Sequence, residues 1–282
     1  MTQYSKHLLQ IHIAVLLFGL AGLFGKWLLL HPIIIVLGRV FFASLALAGF
    51  LLALRRPLHL RKKQDAVYLA VLGALLAVHW ITFFQSIQVS TVAVGLLTFS
   101  TFPVFTALLE PIFFKERWRG RDLLIAGITF GGIAIVVPEF ELQNDYFRGA
   151  SWGILSGLSF AFLAIFNRKY VRSYSGIELA FFQDLVATVL LLPFFFWWSP
   201  SLTSFDWGAL LLLGVVFTAL SHSFFINGLK SVSAKTASVI GSLEPVYGIM
   251  AAALLLREFP TWQELLGGAI ILSMALLVSI RP

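Results

Sequence analysis

Long apolar stretches follow one another along almost the whole chain, and short polar segments separate them. An α-helix of roughly 17 to 25 apolar residues is long enough to cross the hydrocarbon core of a bilayer. Ten stretches meet this description, and they cover residues 10–30, 33–54, 66–86, 92–114, 122–138, 149–166, 177–198, 207–227, 236–256 and 262–280. The pattern predicts an all-α integral membrane protein with ten transmembrane helices.

The composition agrees with a membrane environment. Hydrophobic residues make up 59% of the chain and charged residues 12%, with a mean hydropathy of +0.93. This leaves too little polar surface for a water-soluble protein of 282 residues. The absence of cysteine excludes disulfides, thiol catalysis and cysteine-type zinc sites. The net charge of +7 does not indicate nucleic-acid binding, because the basic residues lie in short loops rather than along one continuous stripe.

The basic residues predict the orientation of the helices. With the amino terminus in the cytoplasm, 16 of the 20 Lys and Arg residues fall on the cytoplasmic side, as the positive-inside rule requires. They are Lys6, Arg55, Arg56, Arg61, Lys62, Lys63, Lys115, Arg117, Arg119, Arg121, Arg168, Lys169, Arg172, Lys230, Lys235 and Arg281. The acidic 139–148 connection then lies outside, and both termini are expected in the cytoplasm.

The chain contains an internal repeat. Residues 83–124 align with residues 225–266 at a spacing of 142. Seven residues of the first copy recur in the second: Phe83, Ser100, Pro103, Val104, Glu116, Leu123 and Leu124. The basic loops swap ends between the copies, and each half has an odd number of predicted helices. We therefore expect two inverted five-helix repeats, residues 1–138 and residues 149–282, an architecture typical of secondary transporters.

Several short motifs occur in the same order as in a known transporter family. They are Gly25-Lys26, Arg39 with the following Val-Phe-Phe-Ala-Ser, Thr-Phe-Pro-Val at 101–104, Lys115-Glu116, Leu-Glu-Pro-Val at 243–246 and Leu-Arg-Glu at 256–258. Over essentially its whole length the sequence resembles the drug/metabolite transporter superfamily, of the EamA type. The resemblance implies a bacterial inner-membrane carrier with ten helices and a cavity between the repeats, often an exporter of metabolites or amino acids.

Polar side chains inside predicted spans are candidates for the site, because each costs several kcal/mol in hydrocarbon unless it faces a partner or a cavity. His79 and Trp80 lie near the middle of the third stretch, and His222 lies at the matching place in the eighth. The two imidazoles are predicted to converge between the repeats, and histidine can change its charge near neutral pH. The alternative is that each imidazole only binds the backbone of a neighbouring helix.

Three charged residues complete the candidates. Glu244 precedes Pro245 well inside the ninth stretch, where the proline would free a backbone carbonyl; its repeat partner is the apolar Phe102. The alternative is a packing role for Glu244. Asp184 and Arg39 occupy near-equivalent places in the seventh and second stretches, as expected for gates at opposite mouths. The alternative for both is a charge that extends to the headgroups.

These observations predict one site near the membrane midplane. Its substrate-binding residues are His79, Trp80, Phe83, Phe99, His222, Glu244 and Tyr247, and its coupling or gating residues are Glu244, Asp184 and Arg39. The aromatic rings suit an apolar or aromatic solute, or an ammonium group. We expect no catalytic residue, metal or cofactor.

The predicted function is secondary active transport of a small organic metabolite, amino acid or drug-like solute by alternating access, as an exporter coupled to protons. No nucleotide-binding motif occurs in the loops, so an ion gradient or solute exchange would supply the energy. Two other classes stay open: a facilitative channel or uniporter, and an intramembrane enzyme that acts on a lipid. The expected partners are the solute, protons and the lipid bilayer, and the protein is expected to be a monomer or a homodimer.

Small residues predict where helices approach each other closely. Gly127, Gly131 and Gly132 lie in the fifth stretch, and Gly267 and Gly268 lie in the tenth. Glycine lets helix backbones come close together in a membrane. These residues predict either packing between the last helices of the two repeats or a dimer interface.

The orientation can be tested by labelling of introduced cysteines. Cysteines at Gln88 and Asn144 should react with an impermeant maleimide in whole cells, whereas cysteines at Gln64, Ser173 and Ser233 should not. This is because the charge pattern puts the first two outside and the other three inside. Labelling of position 233 together with position 88 would contradict the inverted repeat.

Overall fold

The computed structural model describes residues 2–56, 58–115, 117, 120–137, 139–170, 174–228, 231–232, 237 and 240–279. Throughout the described residues the protein is helical, without a β-strand. Its α-helices are α1 (Gln3–Ala21), α2 (Phe24–Trp27), α3 (Pro32–Ala53), α4 (Asp65–Val89), α5 (Val92–Phe99), α6 (Phe102–Phe114), α7 (Gly120–Val136), α8 (Asp145–Tyr170), α9 (Gly176–Trp198), α10 (Ser204–Gly214), α11 (Ser221–Gly228), α12 (Glu244–Ala251) and α13 (Trp262–Ser279). Some residues used in the sequence analysis lie outside this description: Glu116, Arg119, Arg172, Ser173, Lys230, Ser233, Lys235, Arg281 and the side chains of residues 168–170.

Seven helical segments are long and apolar enough to cross a membrane. They are Gln3–Trp27, Pro32–Ala53, Asp65–Val89, Val92–Phe114, Asp145–Asn167, Gly176–Trp198 and Ser204–Gly228. The fifth, ninth and tenth predicted stretches correspond to shorter helices, which are Gly120–Val136, Glu244–Leu256 and Trp262–Val278. The protein is therefore an all-helical, multi-pass membrane protein, while the count of ten stays a prediction.

Side-chain caps begin several helices. Ser175 accepts a hydrogen bond from the backbone of Glu178 at the start of α9, and the Glu178 carboxylate accepts one from the Ser175 backbone. Thr203 and Asp206 form the same reciprocal pair at the start of α10. Each pair satisfies donors that have no partner within the helix, so the polar connection sets where the apolar helix starts.

Two helices start at a proline motif. α6 begins at Phe102, directly before Pro103, and α12 begins at Glu244, directly before Pro245. Proline fits the first turn of a helix, where its missing N–H is not needed. The expectation that Glu244 lies deep within the ninth helix is wrong, because the chain turns at residues 242–243 and Glu244 opens a new helix.

The helices form two bundles joined by two central pairs. In the first, which we call the α1 bundle, α1 packs against α11 and α12. In the second, the α8 bundle, α8 packs against α4, α5 and α6. Helix α3 packs against α9, and α7 packs against α13. The candidate site residues lie on α3, α4, α5, α9, α11 and α12, so they come from both bundles and from the central pair between them.

Two glycines hold α7 against α13. A Cβ atom on Gly267 would lie 2.5 Å from the backbone oxygen of Gly132, and one on Gly132 would lie 3.1 Å from the backbone oxygen of Gly267. The predicted close packing is therefore present within the chain. Gly268 instead contacts Leu97, and Gly131 has no atom near its Cβ position.

The α7–α13 contact predicts a stability difference between two similar substitutions. Gly267→Ala should lower the free energy of unfolding by about 1–3 kcal/mol, because the new methyl group meets backbone that cannot move aside. Gly131→Ala, the matched control, should change it by less than about 1 kcal/mol, because the position is open. Unfolding in mixed detergent micelles measures both. Equal effects would contradict the packing.

Candidate functional site

Arg39, on α3, is the centre of the site. Its side chain is 0% exposed, and its guanidinium carbon lies 3.3 Å from the centroid of the Trp80 ring. Its Nε donates a hydrogen bond to the Thr218 hydroxyl at 2.7 Å, and its Nη2 lies 3.5 Å from the Phe217 carbonyl oxygen. A cation over an indole face is stabilised by the ring quadrupole, so α4 and the segment after α10 hold this charge in place.

The partners of Arg39 come from a widened helical turn. Residues Val215–Leu220, between α10 and α11, form a π-helix. The Thr218 hydroxyl donates to the Leu213 carbonyl at 2.9 Å while it accepts from Arg39. π-helical turns occur frequently at functional sites, because they displace carbonyl groups from the regular ladder. Here the π-helix ends at Leu220, directly before α11, which carries His222.

Most predicted charged and titratable site residues lie within the electrostatic reach of Arg39. Asp184, Glu244, His79 and His222 all interact electrostatically with the Arg39 guanidinium. Five residues from α3, α4, α9, α11 and α12 therefore meet in one region. Sequence reasoning identified all five but did not identify Arg39 as their common neighbour.

Arg39 and Asp184 do not lie at opposite mouths. Asp184 is 1% exposed, so neither residue extends to the headgroups, and the two interact with each other. Among the described residues, neither carboxylate oxygen of Asp184 has a hydrogen-bond partner, and the same holds for Arg39 Nη1 and Trp80 Nε1. The prediction of separate gates is therefore wrong in position, because α3 and α9 pack directly against each other and bring both charges to the centre.

His79 supports the wall of the site. Its Nδ1 lies 2.9 Å from the Ser156 hydroxyl and 3.2 Å from the Ser156 carbonyl oxygen, and the residue is 1% exposed. The structure therefore agrees with the alternative that this imidazole binds a neighbouring helix. The interaction ties α4 to α8 and fixes the ring among the aromatic residues described next.

An aromatic wall runs from Trp80 across the α8 bundle. Phe83 and Phe99 are buried, whereas Trp80, Phe102 and Phe160 are partly accessible. The ring centroids of Phe160 and Phe102 are 4.9 Å apart. The Phe99 ring stacks on the Phe102 ring, with 5.3 Å between their centroids. Phe83 and Phe99 thus back the wall, while the other three rings form its surface.

Phe160 is a wall residue that sequence reasoning missed. The centroid of its ring lies 4.9 Å from that of the His79 ring. Phe18 stands 142 residues earlier, and its ring centroid lies 5.3 Å from that of His222. The repeat spacing was therefore a usable signal, because it pairs the two phenylalanines.

The α1 bundle supplies the polar side of the site. His222, Glu244 and Tyr247 are all partly buried side chains. Helix α1 crosses α12 closely: a Cβ atom on Gly19 would lie 2.5 Å from the Glu244 carbonyl oxygen. This close crossing fixes the first turn of α12, so the position of Glu244 depends on the packing of α1.

This arrangement can bind a solute with two kinds of surface. Partly accessible rings on one side offer apolar and cation–π contacts, and a partly buried carboxylate on the other side attracts a positive group. The described residues contain no cluster of three or more His, Asp or Glu side chains that could hold a metal ion.

A separate apolar pocket opens between α3, α9 and α10. It is lined by Ile34, Leu37, Gly38, Phe41, Leu192, Phe195, Phe196, Leu202, Trp207 and Leu210. None of these residues is charged, so the pocket lacks the groups that would select a polar solute. We therefore assign the site to the Arg39 region.

Comparison with known proteins gives a consistent result. A model of the EamA-like transporter family matches residues 5–137 and again residues 147–280. An uncharacterized transporter, YxxF, from Bacillus subtilis is 24% identical over 99% of this chain and 91% of its own. An S-adenosylmethionine uptake transporter from Rickettsia conorii is 25% identical over 88% of this chain and 83% of its own. An uncharacterized transporter from Archaeoglobus fulgidus is 29% identical over 83% of this chain and 82% of its own.

The fold also matches a solved crystal structure. The similarity has a TM-score of 0.68 at 16% identity, and it covers 97% of this chain and 96% of the other. At this identity the match shows the fold alone. The two family matches together cover nearly the whole sequence. The chain therefore belongs to the EamA-like transporter family, and it is a transporter rather than an enzyme.

Proposed function

We propose that this protein is a ten-helix secondary transporter, made of two inverted five-helix repeats, that carries a small organic solute by alternating access. The observation that carries the proposal is the convergence of residues from both halves on Arg39. A site between repeats, with charged groups from each half, is the arrangement expected of such transporters.

The packing of the helices supports an internal two-fold relation. Suppose that each of the first five predicted spans changes places with the span five positions later. The packed pair α4 and α8, which are the third and sixth spans, then becomes the eighth and first spans, and these (the α10–α11 segment and α1) also pack together. The same exchange maps α3–α9 and α7–α13 onto themselves. A chain without this relation would have no reason to pack in such matched pairs.

The helix ends support the same relation. Non-glycine residues with positive φ in the described chain are Arg55, Lys115, Ser199 and Arg257. Arg55 lies two residues after the end of α3, and Ser199 lies directly after α9, so each follows the second predicted span of its half. Lys115 and Arg257, 142 residues apart, end α6 and the π-helix after α12. Strained backbone at matched positions is unlikely to arise in unrelated segments, since such conformations are uncommon.

The site favours a solute with an apolar or aromatic body and a positive group. The rings of Trp80, Phe102 and Phe160 would take the body, while Glu244 would attract the positive group. Tyr247 and His222 lie on the same side as the carboxylate. Some relatives are named S-adenosylmethionine uptake transporters, which supports a small organic solute.

Glu244 is proposed to couple transport to protons. It is a partly buried acidic group that interacts with Arg39, and as its surroundings change it would take a proton from one face and release it at the other. We propose a bacterial inner-membrane location and outward transport, as the family resemblance implies, and cytoplasmic termini, as the distribution of basic residues indicates. The relatives named uptake transporters move their solute inward, so assays should measure both directions.

Aromatic contacts can be tested by substitution. Tyr247→Ala or Trp80→Ala should weaken the apparent affinity about five- to thirty-fold, because a desolvated ring contact contributes about 1–2 kcal/mol. Phe196→Ala, at a side chain that is 70% exposed, should have little effect because lipid replaces the ring. Transport in proteoliposomes against a panel of cationic and neutral metabolites gives the affinities. Similar small effects at all three positions would contradict a role in binding.

Proton coupling can be tested separately from solute binding. Glu244→Gln should abolish transport driven by a pH gradient but leave counterflow exchange of labelled solute largely intact, since glutamine keeps the size and cannot ionise. Counterflow by the wild type also distinguishes a carrier from a channel, which shows none. Full gradient-driven transport by the Gln variant would exclude Glu244 as the coupling group.

A further inference from the structure

The loop between α3 and α4 is strongly basic. Residues 55–63 contain five Lys or Arg residues and no acidic residue, whereas the basic segment 115–122 has two acidic residues among its four basic ones. Four basic side chains of the 55–63 loop are exposed, and they are Arg55, Arg56, Lys62 and Lys63. In the part of the chain that the structure describes, none of these four side chains makes a hydrogen bond or an ion pair.

The fifth basic residue, Arg61, binds the loop to the second half of the chain. Its Nη2 donates hydrogen bonds to both carboxylate oxygens of Glu178, at 3.1 and 3.2 Å. Glu178 is buried, and its carboxylate also accepts a hydrogen bond from the Ser175 backbone N–H at 2.7 Å. Because Glu178 lies in the first turn of α9, this ion pair holds the loop against the start of α9.

Tyr174 holds the loop where α4 begins. The Arg61 backbone N–H donates to the Tyr174 hydroxyl at 2.8 Å, and this hydroxyl donates to the Asp65 carboxylate at 2.9 Å. The buried Asp65 carboxylate also accepts from the Lys62 backbone N–H at 3.1 Å. The two carboxylates against the loop are thus bound by Arg61, by Tyr174 and by backbone N–H groups, rather than by the four exposed basic side chains.

A tight turn fixes the other end of the loop, where α3 ends. Arg55 has a φ of 53°, in the left-handed region. Its backbone N–H donates to the Leu52 carbonyl oxygen, and the Arg56 N–H donates to the Leu51 carbonyl oxygen, both at 2.9 Å. This pair of bonds commonly ends a helix, with glycine as the usual left-handed residue. Here arginine occupies that position, so the turn holds two positive charges at the end of α3.

Exposed apolar side chains adjoin the 55–63 loop. Helices α3 and α4 pack against each other, and Leu51 and Leu69 belong to one buried cluster against which Leu58 of the loop packs. The neighbouring turns of both helices carry the exposed apolar residues Leu52, Leu54, Val67 and Val71. In a bilayer such side chains contact acyl chains, and the basic side chains at the helix ends then lie at the level of the headgroups.

The positive-inside rule explains why a cytoplasmic loop is basic, but it does not require a loop that is held in place. Here the loop is bound at both ends and at Arg61, so its exposed cations keep fixed positions above an apolar surface. A phospholipid with a negative headgroup is complementary to this surface in both parts. Arg and Lys bind phosphate through charge-assisted hydrogen bonds, and the apolar side chains can contact the acyl chains.

We propose that the 55–63 loop binds the headgroup of an anionic phospholipid from the cytoplasmic leaflet, whose acyl chains lie along the exposed faces of α3 and α4. Arg55, Arg56, Lys62 and Lys63 bind the phosphate, while the contacts of Arg61 keep the loop in place. The site lies apart from the Arg39 region, and the proposal does not depend on which solute the protein carries.

The site can be tested by lipid binding to the purified protein, without any transport. Phosphatidylglycerol and phosphatidylcholine with identical acyl chains are added in a neutral detergent, and native mass spectrometry counts the lipid molecules that stay bound. Phosphatidylglycerol should bind about ten-fold more tightly, because it alone carries a net negative charge. Glycerol phosphate, the headgroup without acyl chains, should not displace it.

Two double variants test the basic residues. Arg55→Gln with Arg56→Gln should weaken phosphatidylglycerol binding about ten- to thirty-fold, because each Lys or Arg near an anionic headgroup contributes about five-fold. Lys62→Gln with Lys63→Gln should weaken it by a similar factor. Arg55→Lys with Arg56→Lys keeps the charge and should retain most of the affinity. Thermal unfolding in detergent shows whether each variant is folded, which is expected because all four side chains are exposed.

The matched control is Arg117→Gln with Arg121→Gln, which removes the same charge from exposed side chains of the 115–122 segment and should have little effect. An equal loss in this control would overturn the site, because only a general attraction between basic loops and anionic lipid would remain. Equal affinity of the wild type for the two lipids, or wild-type affinity in both loop variants, would also overturn it. Displacement by glycerol phosphate would show that the ligand is a free phosphate compound rather than a lipid.

Discussion

The structure depends on one constraint: a fully buried arginine must be compensated inside a membrane protein. An isolated cation in this environment costs several kcal/mol unless polar groups and opposite charges surround it. Trp80 and Thr218 contact the Arg39 guanidinium directly, and Asp184 and Glu244 offset its charge. Helices from both halves therefore have to meet around this residue, and the site forms where they meet.

The two halves that form the site are related by the repeat, but the side chains that they contribute to it differ in chemistry. Glu244 and Phe102 occupy the same register position in the two halves and open equivalent helices, but one is acidic and the other apolar. The same repeat pairs Phe18 with Phe160, each against a histidine. A common scaffold thus carries a polar side and an aromatic side, and the proposed solute would be recognised by these two different kinds of contact.

The sequence was sufficient to predict the class of fold and to single out most of the polar residues that lie around Arg39, because a bilayer requires long apolar helices and makes polar residues within them rare. It was not sufficient for their arrangement. The contact between Arg39 and Thr218 depends on a π-helical turn, and the meeting of Arg39 with Asp184 depends on packing between helices far apart in the chain. The break before Glu244 could have been expected from Pro245, whose conformational limits favour the start of a helix.

The most direct test of this account is a double-mutant cycle between Arg39 and Asp184, with the free energy of unfolding measured in mixed micelles for the wild type, Arg39→Gln, Asp184→Asn and the double variant. If Asp184 compensates the buried arginine, the double variant should be more stable than the sum of the single effects by about 1–3 kcal/mol. Additive effects, within about 0.5 kcal/mol, would contradict the claim that this charge organises the site.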